Sequence, residues 1–468
     1  MPREIITIQV GQCGNQIGMR FWDLALREHA ERGILFDDSM SSFFKFETNK
    51  NSIHSDTPII KARSVIVDME EGVINQLLKS DLGELFDTKH FIKDVSGAGN
   101  NWAHGFYEYG KIYSTEIIQK IQKALEECDS PQCFMLMHSL GGGTGSGLGS
   151  FIVKCLNENF PDLYKFTVSV FPSKDDDVIT SPYNSLLSLN QLIENADCVL
   201  PIDNQSLLDI CNKVETETSK ENKSIYNTNI SNSKNILDVK GKNTSAKKAP
   251  YDKMNAIISH LLCNLTCSMR FEGTLNVDIN DITMNLVPYP RLHFIMSSIS
   301  PLYHVLDKKL EPRKCDQIFA DVFERDHQLI SVDNLYSGSY LACALIARGD
   351  LAVSDIMYNI EKQKKNLNMV RWNYEGFKIG LCDQPPVNMK YGLLNLSNNT
   401  AVSDCFEKLV QRFMVLYKRK AHVHHYTEYM EDVSDFDVAL NNVKSLIEEY
   451  ETCTSKKYQN PIKINPII

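Results

Sequence analysis

Short apolar segments alternate with longer amphipathic segments along the first 211 residues. Each apolar segment predicts a strand, and the five strands fall at 3–11, 62–70, 132–140, 164–172 and 196–204. The amphipathic stretch 15–30 predicts a helix after the first strand. Because apolar strands that alternate with helices form a parallel sheet covered on both faces, these residues predict an α/β domain.

The pattern stops at residues 212–250, which are rich in Asn, Lys, Ser and Thr and contain Tyr226 as their only aromatic residue. Such a segment buries too little apolar surface to offset the entropy of ordering it, so we predict a disordered surface insertion. Residues 251–270 are apolar again and predict a long core helix between two domains.

The last part of the chain contains both strand-like apolar segments and amphipathic helical segments. Apolar segments predict strands at 291–300, 339–349 and 377–383. Further on, one helical stripe contains Phe406, Leu409, Val410, Phe413 and Tyr417. The predicted organisation is a parallel-sheet domain (1–211), the insertion (212–250), the core helix (251–270), a mixed α+β intermediate domain (271–396) and a C-terminal helical region (397–468).

Composition narrows the class of protein. A chain of 468 residues with 43% hydrophobic and 23% charged residues is typical of a soluble protein of two or three domains. Its net charge of −10 argues against a general nucleic-acid binder. No apolar run reaches the roughly 20 residues of a membrane helix. Thirteen cysteines without a CxxC pair indicate free thiols in a reducing compartment, so we expect a cytosolic protein.

The segment HSLGGGTGSGLGSF (138–151) carries the strongest chemical signal. It follows a predicted strand and leads into a predicted helix, and five of the seven residues from Gly141 to Gly147 are glycine. A tight turn would account for one or two of these glycines. A strand–loop–helix unit directs backbone N–H groups and the positive end of a helix dipole at one point, and glycines let a bulky anion approach. The expected ligand is a di- or triphosphate.

Two more glycine-bearing loops, VGQCGNQIG (10–18) and SGAGNNWA (96–103), lie near predicted strand ends. In an open α/β sheet such ends meet at the ligand crevice. The chain has no GxxxxGK[ST] motif, and the 138–151 segment has no GxGxxG motif. The missing second motif disfavours the alternative of a dinucleotide-dependent oxidoreductase.

The set GGGTGSG, GQCGNQIG and AGNNWA resembles the tubulin family. The resemblance continues through residues 201–211, 272–294 and 418–430. Phrases such as FWDLALREHA, DDVITSPYN and SYLACAL are most similar to the epsilon class of that family. The resemblance implies a GTP-binding protein of the cytoplasm and microtubule cytoskeleton. It also implies a place at the centrosome, centriole or basal body, with other tubulin subunits and centriolar proteins as partners.

The resemblance also implies a site for GTP or GDP with Mg²⁺. The implied phosphate-binding residues are Gln12, Cys13, Gln16, Ala98, Gly99, Asn100, Ser139, Gly142, Gly143, Thr144 and Gly145. Glu70 matches the acidic residue near Mg²⁺, and Asp68 precedes it on the same side of the strand. Base recognition falls on Asn204, Tyr251 and Asn255. Tyr251 and Asn255 are four residues apart on a predicted helix and therefore share a face.

In the family, a neighbouring subunit completes GTP hydrolysis, and the matching residues here are Asp281 and Asp278. Two interpretations stay open. In one, these acids orient the attacking water on the neighbour's nucleotide; in the other, they are solvated first-turn acids favoured by the helix dipole. The second interpretation allows a scaffold, capping or adaptor subunit that binds GTP and does not hydrolyse it.

The chain departs from the family pattern at several positions. Ser181 replaces a glutamate near the ribose, so we expect Asp176 or Asp177 to substitute. Residues 301–313 differ from the usual lateral-contact loop, and the basic, apolar end TSKKYQNPIKINPII replaces a glutamate-rich tail. The insertion lies near the expected longitudinal face, where it would hinder that contact. The histidines 422, 424 and 425 suggest a metal site, but surface packing is the favoured interpretation.

Overall fold

The computed structural model describes residues 3–31, 38–47, 59–173, 176–214, 251–302, 315–333, 335–430 and 432–454. Most of the predicted insertion, residues 215–250, lies outside the described residues. The same holds for residues 303–313 of the segment that departs from the lateral-contact loop and for the tail from residue 455.

A six-stranded sheet forms the first domain, with the strand order β5-β4-β1-β6-β7-β8 and parallel pairing throughout. Its strands are β1 (Glu4–Val10), β4 (Ser64–Asp68), β5 (Phe91–Lys93), β6 (Pro131–Ser139), β7 (Tyr164–Phe171) and β8 (Cys198–Asp203). The five strands expected from the apolar segments are all present. The sequence pattern missed β5, which is three residues long and lies at the edge of the sheet.

The two faces of this sheet belong to two separate cores. Ile6, Ile8 and Val10 of β1 face one core, and Ile5 faces the other. The first face is covered by helices α3 (Gly110–Glu126), α4 (Gly149–Asn159) and α5 (Ser181–Asn195). The second is covered by α1 (Gly11–Glu31) and α7 (Asp252–Leu265). Burial on both faces explains why these strands read as continuous apolar runs.

Helix α1 starts four residues earlier than the sequence pattern predicts, because β1 passes into it with no loop between Val10 and Gly11. Gly11 has a φ of +72°, a conformation that favours glycine. This abrupt change of direction brings the first turn of α1 to the carboxyl end of the sheet.

Smaller elements complete the first domain. A hairpin of β2 (Phe44–Glu47) and β3 (Ile59–Ala62) pairs antiparallel beside it, and α2 (Glu71–Lys79) follows β4. A helix over residues 204–214 (α6) follows β8 directly. It runs three residues into the range assigned to the insertion, and the reason is apolar contact, because Val214 is buried.

The second domain is built on a four-stranded sheet with the order β11-β10-β12-β9. Its strands are β9 (Met296–Ser300), β10 (Tyr340–Gly349), β11 (Phe377–Cys382) and β12 (Tyr391–Asn399). Only β10 and β11 are parallel. The sequence analysis did not predict β12, which passes the expected domain boundary at residue 396. Helices α8 (Cys267–Arg270), α9 (Ile279–Leu286), α10 (Cys315–Asp321) and α11 (Val353–Lys364) accompany this sheet.

The predicted core helix 251–270 is two helices, α7 and α8, that meet at Thr266. The Thr266 hydroxyl donates to the Leu262 carbonyl at 2.8 Å, within the last turn of α7. Such back-bonding by threonine is known to bend or end a helix.

A buried ion cluster joins the two domains. The Glu28 carboxylate of α1 accepts from Arg270 at 2.6 Å and from Arg348 of β10 at 2.7 Å. All three side chains are fully buried. Burial raises the pKa of Glu28, but Arg348 and Arg270 outweigh it and hold that pKa below its ordinary value. Glu28 is therefore ionised and shared between two guanidinium groups.

The C-terminal region is helical, with α12 (Ser403–Tyr417), α13 (His424–Thr427) and α14 (Ser434–Thr454). Of the predicted stripe, Phe406, Leu409 and Phe413 are buried, whereas Val410 and Tyr417 are half-buried. The Tyr183 ring of α5 lies 5.4 Å from the Phe413 ring and packs edge to face against it. The region therefore docks onto the first domain through α5.

All thirteen cysteines have free thiols. Across the described ranges, every helix is too short or too polar to cross a lipid bilayer.

Candidate functional site

A cleft of about 340 Å³ opens at the carboxyl ends of β1, β4, β6, β7 and β8. It brings together every nucleotide-binding residue that the sequence resemblance implied. These lining residues are Gln12, Cys13, Gln16, Glu70, Ala98, Gly99, Asn100, Ser139, Gly142, Gly143, Thr144, Gly145, Asn204, Tyr251 and Asn255. Asp68, Asp176 and Ile258 line it as well.

Free backbone donors lie along the glycine-rich loop between β6 and α4. In the part of the chain that the structure describes, the N–H groups of residues 142–145 have no protein acceptor. A π-helical turn, Thr144–Leu148, then leads into α4. The first turn of α1 adds more unpaired N–H groups and the positive end of its dipole at the same cleft. This donor set fits a polyphosphate.

The glycines of this loop serve packing as much as ligand approach. A Cβ atom at Gly143 would lie 2.8 Å from the Ala98 carbonyl oxygen and 2.8 Å from the Asn101 nitrogen. A Cβ at Gly142 would have only Asn100 and Ser139 side-chain atoms nearby, at 3.8 and 3.9 Å. The sequence analysis explained Gly143 by the approach of a phosphate, but the neighbouring 98–101 loop already requires a glycine at that position.

That neighbouring loop turns through three left-handed residues, Gly97, Gly99 and Asn100, with φ values of 64°, 54° and 54°. The Asn184 amide of α5 donates to the carbonyls of Asn100 and Gly141, each at 2.8 Å. One buried side chain thus holds two ligand loops together. Sequence reasoning missed Asn184, because α5 also buries Ser181, Ser185 and Ser188 and no local signal distinguishes Asn184 from them.

His138 contacts the glycine-rich loop from within the sheet, and the sequence analysis did not identify it either. Its Nδ1 lies 2.9 Å from the Gly145 carbonyl oxygen, and its Nε2 lies 2.8 Å from the Ser169 hydroxyl. Because a carbonyl only accepts, Nδ1 carries the proton and Nε2 accepts from Ser169. Burial lowers the pKa of His138 to about 4, so the ring is neutral at pH 7.

Two carboxylates meet at the β4 side of the cleft. Asp68 accepts from the Asn15 amide at 3.4 Å and from the Glu70 backbone N–H at 3.3 Å. Burial raises the pKa of Asp68 to about 6, although these hydrogen bonds oppose the shift. Glu70 is exposed. Oxygen ligands of this kind suit Mg²⁺, which keeps several waters and needs few protein ligands.

The β8 end of the cleft suits a flat ring. Tyr251 is 51% exposed, so one face of its ring is open to a stacking partner. Asn255 lies one turn further along, and its backbone N–H donates to the Tyr251 carbonyl at 2.9 Å. Asn204 follows β8 and approaches the same pocket. Side-chain amides can pair with both the carbonyl and the ring N–H of a guanine.

Between these ends lies Asp176. Its Oδ2 and the Ser181 Cβ lie 3.2 and 3.7 Å from the point that a Cβ on Gly141 would occupy. Asp176 lines the cleft, whereas Asp177 and the buried Ser181 do not.

Asp278 and Asp281 do not line the cleft. They form a capping box at the start of α9, where the Asp278 backbone N–H donates to Asp281 Oδ2 at 3.3 Å. Lys378 Nζ lies 3.8 Å from Asp281 Oδ1, and Arg3 pairs with Asp278. Both oxygens of the Asp281 carboxylate therefore have partners within this chain.

The rings of His422 and His425 stack with their centroids 6.0 Å apart, and the ring of His424 is tilted against His425 with a centroid distance of 4.0 Å. Among the described residues, one group of three possible metal ligands lies within 4.8 Å of one another: Asp321, Glu324 and His327. The three histidines at 422, 424 and 425 do not form such a group.

Comparison with known proteins follows the same division of the chain. Residues 4–212 match the Tubulin/FtsZ family, GTPase domain, and residues 290–411 match the Tubulin C-terminal domain. The chain is 48% identical to the tubulin epsilon chain of Homo sapiens, with 97% of each chain covered, and equally similar to that of Mus musculus. It is 33% identical to the tubulin beta-1 chain of Homo sapiens, with 96% of this chain and 94% of the relative covered.

Proposed function

Since the chain belongs to the tubulin family, we propose that it is an epsilon-class subunit that binds GTP, assembles head to tail with other tubulin subunits, and organises the microtubules of centrioles or basal bodies. We further propose that a neighbouring subunit completes the hydrolysis of its GTP. The GTPase domain match itself implies a GTP- or GDP-binding cytoskeletal protein that interacts with tubulin subunits.

The observation that carries the proposal is the single cleft lined by all fifteen expected residues. The fifteen residues come from the ends of β4, β5, β6 and β8 and from the helices α1 and α7, so the convergence is a property of the whole domain. In our assignment, residues 142–145 bind the phosphates, Glu70 approaches Mg²⁺, and Asn204, Tyr251 and Asn255 recognise guanine. Bound Mg²⁺ would supply positive charge beside the phosphate oxygens.

The position of Asp278 supports a site divided between two subunits. Asp278 pairs with Arg3, which precedes β1, whereas Gln12 follows β1. The residues from Arg3 to Gly11 span about 26 Å at the rise of a strand. Asp278 and Asp281 therefore lie at the opposite end of the sheet from the cleft of their own chain. They would meet a nucleotide only in the cleft of the next subunit, through a heterologous contact that extends into a filament.

One observation favours a second function, a GTP-binding scaffold or capping subunit that does not hydrolyse. Asp281 is already engaged by the Asp278 N–H and by Lys378. A carboxylate that accepts from a helix cap and an ammonium group is a weaker partner for an attacking water. On this alternative, Asp281 stabilises α9 and the bound nucleotide persists.

The nucleotide retained after gentle purification tests the shared part of both functions. We expect chromatography of the released ligand to give GTP or GDP in about one copy per chain. Protein that retains NAD, or that takes up no guanine nucleotide at saturating GTP, would contradict both.

Phosphate release distinguishes the two functions. Hydrolysis completed by a neighbour rises with protein concentration, because it requires subunit contact. A near-zero rate at every concentration, with GTP still bound, would support the scaffold.

A further inference from the structure

A second, smaller cavity lies directly behind the nucleotide cleft. Pro172 lines both of them. The smaller cavity is also lined by Asp203 at the end of β8 and by two cationic side chains of α12, Lys408 and Arg412. A C-terminal helix therefore reaches the back of the segment that follows β7.

That segment occupies a defined place along the cleft. In the sheet, β7 lies between β6 and β8. On the proposed function, the loop after β6 holds the phosphates and the residues after β8 hold the base. Asp176, which follows β7 and lines the cleft, therefore faces the sugar. A carboxylate can accept hydrogen bonds from both ribose hydroxyls.

Arg412 is the contact between α12 and this segment. Its Nη1 donates to the Ser173 carbonyl at 3.3 Å. Arg412 and Lys408 also face Asp203, which precedes the base-binding Asn204. Burial raises the pKa of Asp203, and the two cations counter part of that shift. Arg412 thus contacts Ser173, close to the expected sugar position, and faces Asp203, close to the expected base position.

We propose that Arg412 is a positioning residue for the nucleotide site, which holds the Ser173 carbonyl, three residues before Asp176, so that Asp176 reads the ribose hydroxyls. The inference rests on the proposed function and extends it, because it assigns nucleotide specificity partly to a helix of the C-terminal region. Arg412 touches no nucleotide itself and acts through Asp176.

The test compares the full-length chain's dissociation constants for GTP and for 2′,3′-dideoxy-GTP. We expect the wild type to prefer GTP by tenfold to a hundredfold, roughly the strength of a hydrogen bond to a charged group. Arg412→Gln should reduce this preference to within about threefold and leave the dideoxy affinity unchanged, since that ligand has no hydroxyl for Asp176 to read. Arg412→Lys should restore part of the preference.

Three further variants sharpen the test. Lys408→Gln removes a positive charge from the same cavity without a contact to Ser173, and should keep the wild-type preference. Asp176→Asn should lose the preference as Arg412→Gln does. The double variant should lose no more than Asp176→Asn alone, because both changes act on one interaction.

Two results would overturn the inference and leave the proposed function intact: GTP binding without sugar preference in the wild type, or an Arg412→Gln variant that weakens both ligands equally. The second result would give Arg412 a purely structural role. A wild type that binds neither nucleotide would overturn the proposed function and the inference together.

Discussion

At the residue scale, a methyl group added at Gly143 would be 2.8 Å from two backbone atoms of the 98–101 loop, and neither can move aside alone. We expect Gly143→Ala to lower the free energy of unfolding by about 1–3 kcal/mol, the usual cost of overpacking. Gly142→Ala, with its nearest neighbours at 3.8 Å, is the matched control and should change it by less than about 1 kcal/mol. Urea unfolding of both variants measures the difference, and equal losses would contradict the packing role.

Two buried histidines predict a dependence of stability on pH. Burial lowers the pKa values of His138 and His293 to about 4, against 6.5 for an unperturbed histidine. Between pH 6.5 and 4 these two histidines therefore bind more protons in the unfolded chain than in the folded chain, so their contribution to stability falls as the pH falls. Each histidine contributes up to about 1.4 kcal/mol per pH unit in that window.

Urea midpoints at pH 7.5, 6.0 and 5.0 measure this slope. We expect His293→Gln to make it shallower and His424→Gln, at an exposed position, to leave it unchanged. An identical slope in wild type and His293→Gln would exclude the role of His293.

Residues in glycine-rich loops could be predicted from sequence because the requirement is local. Gly143 and Asn100 lie in segments whose composition already restricts what they can do. His138 and Asn184 could not be predicted, since His138 is one polar residue in a largely apolar strand and Asn184 is one of several buried polar residues of α5. Their roles come from partners distant in the chain, such as Ser169 for His138 and Asn100 for Asn184.

At the scale of elements, the ion cluster of Glu28 makes a strong prediction. Glu28→Gln removes one charge and leaves Arg270 and Arg348 buried without a counter-ion. Breaking a buried pair in this way costs about 3–5 kcal/mol of stability. Glu71→Gln, which breaks the exposed pair of Glu71 with Lys93, should cost less than about 1 kcal/mol. Chemical unfolding of the two variants checks this, and comparable losses would refute it.

Strands that are buried on both faces could be predicted from their apolar sequences. Strands that form only because of contacts with neighbouring elements could not. The apolar runs of β1 and β6 announce a parallel sheet. β5 has only three residues and exists because β4 offers it an edge. β12 contains Asn395, Asn398 and Asn399, all fully buried. Because of these polar residues, its sequence does not show the apolar pattern of a central strand, although β12 lies between β10 and β9. The Asn398 amide donates to the carbonyls of Leu286 and Leu292, contacts that no local pattern reveals.

At the scale of the whole molecule, the nucleotide cleft and Asp281 lie at opposite ends of the first sheet. We therefore predict that two variants, each defective at one of these ends, restore GTP hydrolysis when they are mixed. Asp281→Asn should bind GTP normally and release phosphate roughly a hundredfold more slowly, the usual loss for a general acid–base group. Asn204→Ala should bind GTP weakly but still present an intact Asp281. A mixture should hydrolyse faster than either alone, because the second chain completes the cleft of the first.

Phosphate release from the two variants, separately and mixed, measures this, and thermal melting confirms that both are folded. Glu272→Gln, an exposed acid near α9, is the control and should hydrolyse at the wild-type rate. Absence of rescue would argue that each chain acts alone or that Asp281 only caps α9.

The shared carboxylate of Glu28 also limits how the chain can be dissected. A fragment ending near residue 212 would retain Glu28 in α1 and lose both arginines, which come from residues 270 and 348. The isolated GTPase segment would also lose α7, which covers α1 and the second face of the sheet, so that apolar face would be exposed and the segment should be insoluble when expressed by itself. Autonomous folding therefore belongs to the two sheets and the C-terminal helices together, and truncation or domain-exchange experiments should keep residues 4–454 as one piece.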